Sequence, residues 1–358
     1  MEKYKIALIG LKHMHASALF NSFSKLGDKF EWIGCTDTLP CVGSDESRMD
    51  AVLPKGHGLK YFETPESLLD KNPDLVLVCS DNASHGSLCE IILERRIPVV
   101  LEKPMAVSLS DGMRMARASA LYNTPVFINW PVTWMAGFRL AWELTKKGAV
   151  GNPVRFHYRN PFSLGPFSHG KNPPAPDEAV KTWWYKTEMG GGAMLDYCGY
   201  GCLLATWFFG KRALSAFGYR ANLLSPWSPV EDYSTMTVAF PGAVALLEGS
   251  WANPSTGGVP TGPVVFGDNG MLTADRYNND VRIYKPHSSE PDEIVAATPI
   301  TSDLADSIYA LLTEGTTPHE TLCLPLNINA LAALDAGLRS AKSGNIETVT
   351  LPQFCFSV

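Results

Sequence analysis

The sequence predicts an α/β protein with an N-terminal doubly wound parallel sheet and a C-terminal α+β domain built on an open, mostly antiparallel sheet. Three observations carry this. In the first third, short apolar β-type runs alternate with helical segments, the pattern of βαβ units. The central run, DLVLVCS, is continuously apolar, as a strand covered on both faces requires. After about residue 130, strand-like runs separated by Gly, Pro and Asn dominate. At 358 residues the chain is too long for one ordinary core, so two domains are expected, 1–124 and 125–358.

The first third of the chain reads as strands at Lys5–Gly10, Trp32–Thr36, Leu75–Cys79, Val99–Leu101 and Val126–Ile128. Helices fall near Met14–Leu26, Pro65–Asp70, Ser84–Arg95 and Leu109–Tyr122. Right-handed crossovers between such strands produce the doubly wound arrangement. The second domain reads as helices at Phe138–Lys146 and Gly192–Phe209 among the strands NPVRFHYRN, LSAFGYRANL, DYSTMTVAF, GAVALLEGSWA, GPVVFGD and NDVRIYKP. A last helix is expected at about 326–342, then a short strand ETVTL. The Pro- and Gly-rich stretch GPFSHGKNPPAPDEAV reads as a long surface loop, either a lid or an arm that contacts substrate.

Composition narrows the function classes. A hydrophobic content of 45% with 18% charged residues describes a packed globule. A net charge of −6 without a basic cluster argues against nucleic acid as a partner. No apolar run approaches the ~20 residues that span a bilayer, and the N-terminus lacks the features of a signal peptide. A cytoplasmic location without membrane partners is expected. The eight cysteines form no C-x-x-C pair and no zinc-like cluster, so they read as buried, reduced thiols.

Four stretches carry candidate chemistry. In IALIGLKHMHASALF a strand feeds Gly10, the first glycine of a G-x-G-x-x-G pattern, but Lys12 and His15 stand where the second and third belong. Either an ordinary strand-to-helix turn or a phosphate-binding turn fits, and in the second case Lys12 offers a cation to the phosphate. Asp37, ending the next strand, is placed to accept hydrogen bonds from adenosine ribose hydroxyls, which favours NAD over NADP; a solvated loop aspartate is the plainer reading. VVLEKPMAVS ends a strand in Glu102-Lys103 before Pro104 turns the chain. Lys103, at a carboxyl end of the sheet, either caps the edge or assists proton transfer at a substrate hydroxyl. In EMGGGAMLDYCGYGCLL three glycines open a helix and would let a ligand approach the backbone, while Asp196 and Tyr200, four apart, share one face. A tyrosine oriented by a carboxylate, with Lys103 supplying positive charge, is a plausible acid–base unit; simple packing is the alternative.

Together these stretches, with CSDNASHGSLCEIIL, GAVGNPVRF and VEDYSTMTVAFPGAVALLEGSW, resemble the glucose–fructose oxidoreductase, inositol dehydrogenase and rhizopine-catabolism (Gfo/Idh/MocA) family over essentially the whole chain. The resemblance implies a Rossmann domain that binds NAD, NADP being second choice, and a sugar or polyol substrate. A homodimer or homotetramer through the C-terminal sheet is also implied. Lys103, Asp196 and Tyr200 match the family's catalytic positions, Tyr200 standing where many members have histidine. Asn82 and His85 match T-P-N-x-x-H beside the nicotinamide, with Ser80-Asp81 in place of Thr-Pro. KHMH aligns with the common GHMG, placing His13 and Met14 at the cofactor, and Glu102 joins this set. Trp130, His169, Trp184 and Tyr185 are candidate sugar-stacking or substrate-contacting groups, with core packing as the other reading. No metal is expected: His13 and His15, at alternate positions of a helix start, should point apart, and no carboxylate is near in sequence.

The functional expectation is an NAD-dependent oxidoreductase that moves a hydride to or from a hydroxyl carbon of a sugar, sugar derivative or polyol. A redox-neutral enzyme that cleaves glycosides with recycled NAD, and a non-catalytic nucleotide or sugar sensor, are the alternatives.

Overall fold

The four residues Ile6–Ile9 are all apolar, and all are buried in strand β1 (Tyr4–Ile9). A strand in the middle of a parallel sheet has no wet face, and this one follows that rule. The computed structural model describes residues 2–11, 13–37, 52–161, 175–253, 261–276 and 278–351. They divide into two units, residues 1–129 with 302–324, and residues 130–301 with 325–358.

In the first unit β1 is followed by α1 (Ala16–Ser24), β2 (Phe30–Thr36), α2 (Pro65–Leu69), β3 (Leu75–Val78) and α3 (His85–Glu94). Then come β4 (Val99–Glu102), α4 (Leu109–Tyr122) and β5 (Val126–Asn129). The strands run parallel in the order β2-β1-β3-β4-β5. Strand order therefore reverses between β1 and β3, the switch point at which open α/β sheets bind ligands beyond the carboxyl ends of their strands. β3, β4 and β5 are buried at every residue. Helix starts are set by local side chains: the Ser108 hydroxyl accepts the Asp111 amide, and Thr64 and Ser67 cap one another.

The segment 302–324 belongs to this unit, whereas the sequence placed everything after 124 in the second domain. It contains a helix the sequence reading did not find, α8 (Leu304–Glu314), capped by Asp303. The Tyr4 hydroxyl donates to the Leu312 carbonyl, Ser22 donates to Asp303, and the Tyr309 ring meets Tyr4 and Phe30 edge-on. Apolar contact made by residues some 300 positions apart leaves no local periodic signal, which is why the return escaped.

The second unit begins with α5 (Ala136–Lys146), β6 (Pro153–Pro161), α6 (Pro176–Ala179) and α7 (Gly199–Phe209). It continues with β7 (Ser215–Ala221), β8 (Tyr233–Phe240), β9 (Ala243–Ser250), β10 (Val264–Gly267), β11 (Gly270–Ala274), β12 (Asp280–Tyr284) and β13 (Glu293–Ala296). The long helix α9 (Leu324–Ser343) and the short strand β14 (Glu347–Thr348) close it, as expected. The nine-stranded sheet runs β13-β12-β11-β10-β6-β9-β8-β7-β14, antiparallel except for the β6–β9 pair. α7 is apolar all round and buried at every residue, the condition of a helix with no wet face. Of the expected loop 165–180, only residues 175–180 are described, and Pro176–Ala179 among them form α6.

None of the six described cysteines forms a disulfide with another of them, and burial pushes Cys35 and Cys198 up to about 12, so these stay as thiols. No helix of the described residues is long and apolar enough to cross a membrane.

Candidate functional site

Gly10 follows β1 with φ +94°, a conformation that disfavours any side chain. A Cβ here would also lie 2.4 Å from the Ser80 amide nitrogen and 2.6 Å from the Cys79 carbonyl carbon. The turn is pinned to the end of β2 by two bonds and across the switch point to the end of β3 by a third. The Gly10 amide donates to Thr36 O at 2.8 Å and the His13 amide to Cys79 O at 3.2 Å. The Leu11 amide donates to Asp37 Oδ1 at 3.1 Å. Asp37 is buried at the end of β2 and holds the turn's own backbone. Lys12 lies outside the described residues; among the described residues of this turn Met14 is exposed.

At the end of β3, the Asp81 carboxylate accepts the Ser84 amide and caps the short helical turn Asn82–Ser84. Ser80 and Asn82 are buried beside it. His85, wholly buried, places Nδ1 3.0 Å from the Pro104 carbonyl oxygen, which ties this turn to the one after β4. Burial lowers the His85 imidazole, only partly opposed by that carbonyl and by Asp81 and Glu102. Lys103 is 3% exposed, and the Lys103–Pro104 peptide is cis.

His13 and His15 do not point apart as the spacing suggested. Their ring centroids lie 4.5 Å from one another, because the His15 amide donates to His13 Nδ1 at 3.1 Å and curls the chain into a local turn before α1. The fold also brings a carboxylate: Glu102, at the end of β4, lies with Oε2 2.9 Å from His15 Nδ1. Its Oε1 accepts Asn129 Nδ2 at 2.7 Å. Burial raises the Glu102 carboxyl, but the charge and hydrogen bond of His15, Asn129 and the Lys103 charge together leave it below the usual carboxylate range. His13 is lowered well below its usual range by burial, then by the charges of His15, Lys103 and His85, and is neutral near pH 7.

In the second unit, the glycine triplet approaches the chain's own groups. A Cβ on Gly191 would lie 2.0 Å from the Trp184 carbonyl oxygen. Gly192, with φ +113°, sits 2.5 Å by the same measure from the Glu231 carboxylate, whose Oε1 accepts the Met194 amide. Glu231 thus satisfies an otherwise orphaned amide at the helix start, and burial raises its carboxyl above the usual range. Sequence reading passed over Glu231 and its neighbour Asp232, whose carboxylate accepts the Leu223, Leu224 and Ser225 amides. The charged pair inside VEDYSTMTV was the available signal.

Asp196 lies in a π-helical turn, Met194–Cys198, that precedes α7, so the expected regular helix begins with a wider turn. Such turns are frequent at functional sites. Asp196 Oδ2 accepts Trp251 Nε1 at 3.3 Å. Tyr200 is buried, and Trp130 meets it edge-on with centroids 5.1 Å apart while donating from Nε1 to Asn327 Oδ1 at 2.6 Å. Tyr197, between them in sequence, is pushed well above the usual tyrosine range by burial and by the Asp196 and Tyr200 charges. Trp184 stacks on Trp183 at 3.8 Å, and Tyr185 packs against Trp227 and Trp251. Both side chains are buried among aromatic rings. His169 lies outside the described residues.

The switch-point turn and the mixed second sheet define a two-unit protein with a dinucleotide-type first unit. Residues 4–130 match the family described as an oxidoreductase family with an NAD-binding Rossmann fold, and residues 138–273 match the GFO/IDH/MocA C-terminal domain. The chain belongs to this GFO/IDH/MocA oxidoreductase family. It is 24% identical over 237 residues to the myo-inositol 2-dehydrogenase of Thermotoga maritima, covering 64% of this chain and 65% of that protein. It is 26% identical over 107 residues to the D-apiose dehydrogenase of Rhizobium rhizogenes, covering 29% of this chain and 31% of that one. The chain thus spans under two thirds of the length of each. In structure it is similar to the WlbA dehydrogenase from Bordetella pertussis, solved with NADH and UDP-GlcNAcA, with a TM-score of 0.76. That likeness, at 18% identity, covers 98% of this chain and all of the other, and shows the fold.

Proposed function

We propose that this protein is an NAD-dependent dehydrogenase or reductase acting on a hydroxyl carbon of a sugar, sugar derivative or polyol. The observation that carries the reading is the turn at the β1/β3 switch point. There Gly10 leaves no room for a side chain, and Asp37 stands at the end of the adjacent strand β2. These residues fit a dinucleotide: the glycine permits the tight bend, and Asp37 carries the carboxylate that accepts ribose hydroxyls and repels a 2′-phosphate. The cofactor supplies hydride chemistry when bound. Gly10, Lys12, His13, Met14, Asp37, Ser80, Asn82, His85, Glu102 and Lys103 would hold it.

The chain's own groups manage the proton. The Lys103 ammonium binds the substrate hydroxyl oxygen and stabilises negative charge there, while Tyr200 exchanges the hydroxyl proton. Asp196, anchored by the Trp251 indole, orients this proton transfer from its π turn. Trp130, edge-on to Tyr200, offers an apolar wall for a sugar ring.

The same reading makes the protein a cytoplasmic homodimer or homotetramer through the second sheet. The register aligns Phe217, Thr237, Leu246 and His157 across four adjacent strands, β7, β8, β9 and β6. Phe217 and Leu246 on this row are 43% and 40% exposed. Two large apolar side chains open to water on one sheet row in this way favour burial against a second copy.

The test is NADH formation from NAD+ with a panel of sugars and polyols, myo-inositol and D-apiose included. Turnover that Lys103→Ala abolishes supports the reading. A protein that binds NAD+ but transfers no hydride with any of them points to a binding protein instead.

A further inference from the structure

His15 occupies the position where a third glycine would let α1 pack closely on the sheet. It is the residue before α1 and its side chain makes no capping bond to the helix. The imidazole instead reaches past β3 to the end of β4, two strands away from β1, and meets Glu102 at 2.9 Å. Glu102 is wholly buried. Its oxygens are engaged by His15 Nδ1, Asn129 Nδ2 and, at 3.3 Å, the Lys103 amide. One carboxylate therefore joins the start of α1 to the ends of β4 and β5.

The three side chains His13, His15 and Glu102 have donor atoms within 4.8 Å of one another, close enough to raise a metal site. Their hydrogen bonds argue otherwise. His13 Nδ1 already accepts the His15 amide, so its proton sits on Nε2, and His15 Nδ1 is engaged by Glu102. A ligated His13 would have to shed either that bond or its remaining proton. The arrangement is a hydrogen-bonded bridge.

We propose that His15 is a positioning residue that couples the dinucleotide turn, residues 10–15, to the turn carrying Lys103. Holding the first turn in place holds His15, His15 holds Glu102, and Glu102 holds the Lys103 backbone amide. The bond is buried on the Glu102 side and charge-assisted, so the second turn orders when the first does. This rests on the proposed reading only in taking NAD(H) as the group that occupies the first turn.

Hydrogen exchange of the whole protein with and without saturating NADH tests it. In the wild-type chain NADH slows exchange over residues 10–16 and also, by about ten-fold, over residues 101–106. In His15→Gln the first protection persists and the second falls below about two-fold. His15→Asn, whose amide nitrogen stands where Nδ1 does, restores it. Asparagine leaves more of the imidazole's space empty than glutamine does, so a role in packing alone would make His15→Asn the worse of the two. Equal protection of residues 101–106 in all three proteins overturns the coupling, as does His15→Asn behaving like His15→Gln. One zinc ion taken up per chain and lost in both His15→Gln and Glu102→Gln also overturns it, since the bridge would then be a ligand set. If NADH fails to protect residues 10–16 in the wild type, the cofactor reading falls and the coupling with it.

Discussion

Gly10 and Ser80 approach so closely that a single methyl group on the glycine would lie 2.4 Å from the Ser80 amide nitrogen. The obstacle is backbone at the end of β3, which cannot swing aside as a side chain can. Gly10→Ala is therefore expected to cost at least about 2 kcal/mol, from left-handed strain plus the displaced strand end. Thermal unfolding should show the loss, and NADH titration should show binding weakened by more than the stability change explains.

Asp37 faces the turn with a full carboxylate, and a 2′-phosphate there would meet like charge. Asp37→Ser is expected to shift the ratio of NAD to NADP affinity toward NADP by about ten-fold or more. Fluorescence titrations with NADH and NADPH measure the ratio. An unchanged ratio removes Asp37 from cofactor selection.

Lys103→Ala and Tyr200→Phe should each lower kcat by about 10²–10⁴, and Tyr200→Phe, which lies outside the cofactor set, should leave NADH binding within a few-fold. Lys12→Ala separates the other way: weaker NADH binding with little change in kcat at saturation. Near-wild-type turnover in both Lys103→Ala and Tyr200→Phe would sink the proton-transfer assignment.

His13 and His85 are both held below the ordinary histidine value of 6.5, chiefly by burial. The unfolded chain takes up these protons near pH 6.5, and the folded chain does so only at lower pH. Stability is accordingly complete above about pH 6.5 and falls as the pH drops below it. Each histidine contributes a slope of up to about 1.4 kcal/mol per pH unit in that window. Urea unfolding from pH 7.5 down to 5 should show the fall, and His85→Gln should make it shallower.

Phe217 and Leu246 stand in one row of the second sheet, both open to water. Leu246→Lys puts a charge into any interface built on that row. Light scattering should then show a smaller species than the wild type gives through the proposed interface, with the fold retained by circular dichroism. An oligomer indifferent to Leu246→Lys and Phe217→Lys would place the contact elsewhere.

Much of the molecule was legible in order along the chain. The alternation of apolar runs and helical segments located β1 to β5, and the antiparallel texture after residue 130 located most of the second sheet. Gly10 was readable because a glycine after an apolar strand has few structural uses. Legibility ended where a feature depended on partners far apart in sequence. The glycine triplet looked open to a ligand, yet Gly191 and Gly192 are required by Trp184 and Glu231.

The chain's local pattern by itself determined the two kinds of sheet, the switch-point turn and the residue types that surround it. Hydrophobic period and turn chemistry act over a few residues, so they are written in sequence order. The tertiary structure alone decided that residues 302–324 return to the first unit. It also decided that His15, which spacing set against its neighbour and far from any acid, meets Glu102 across 87 positions. Strand order places those two side chains together, and strand order is settled by packing the whole sheet.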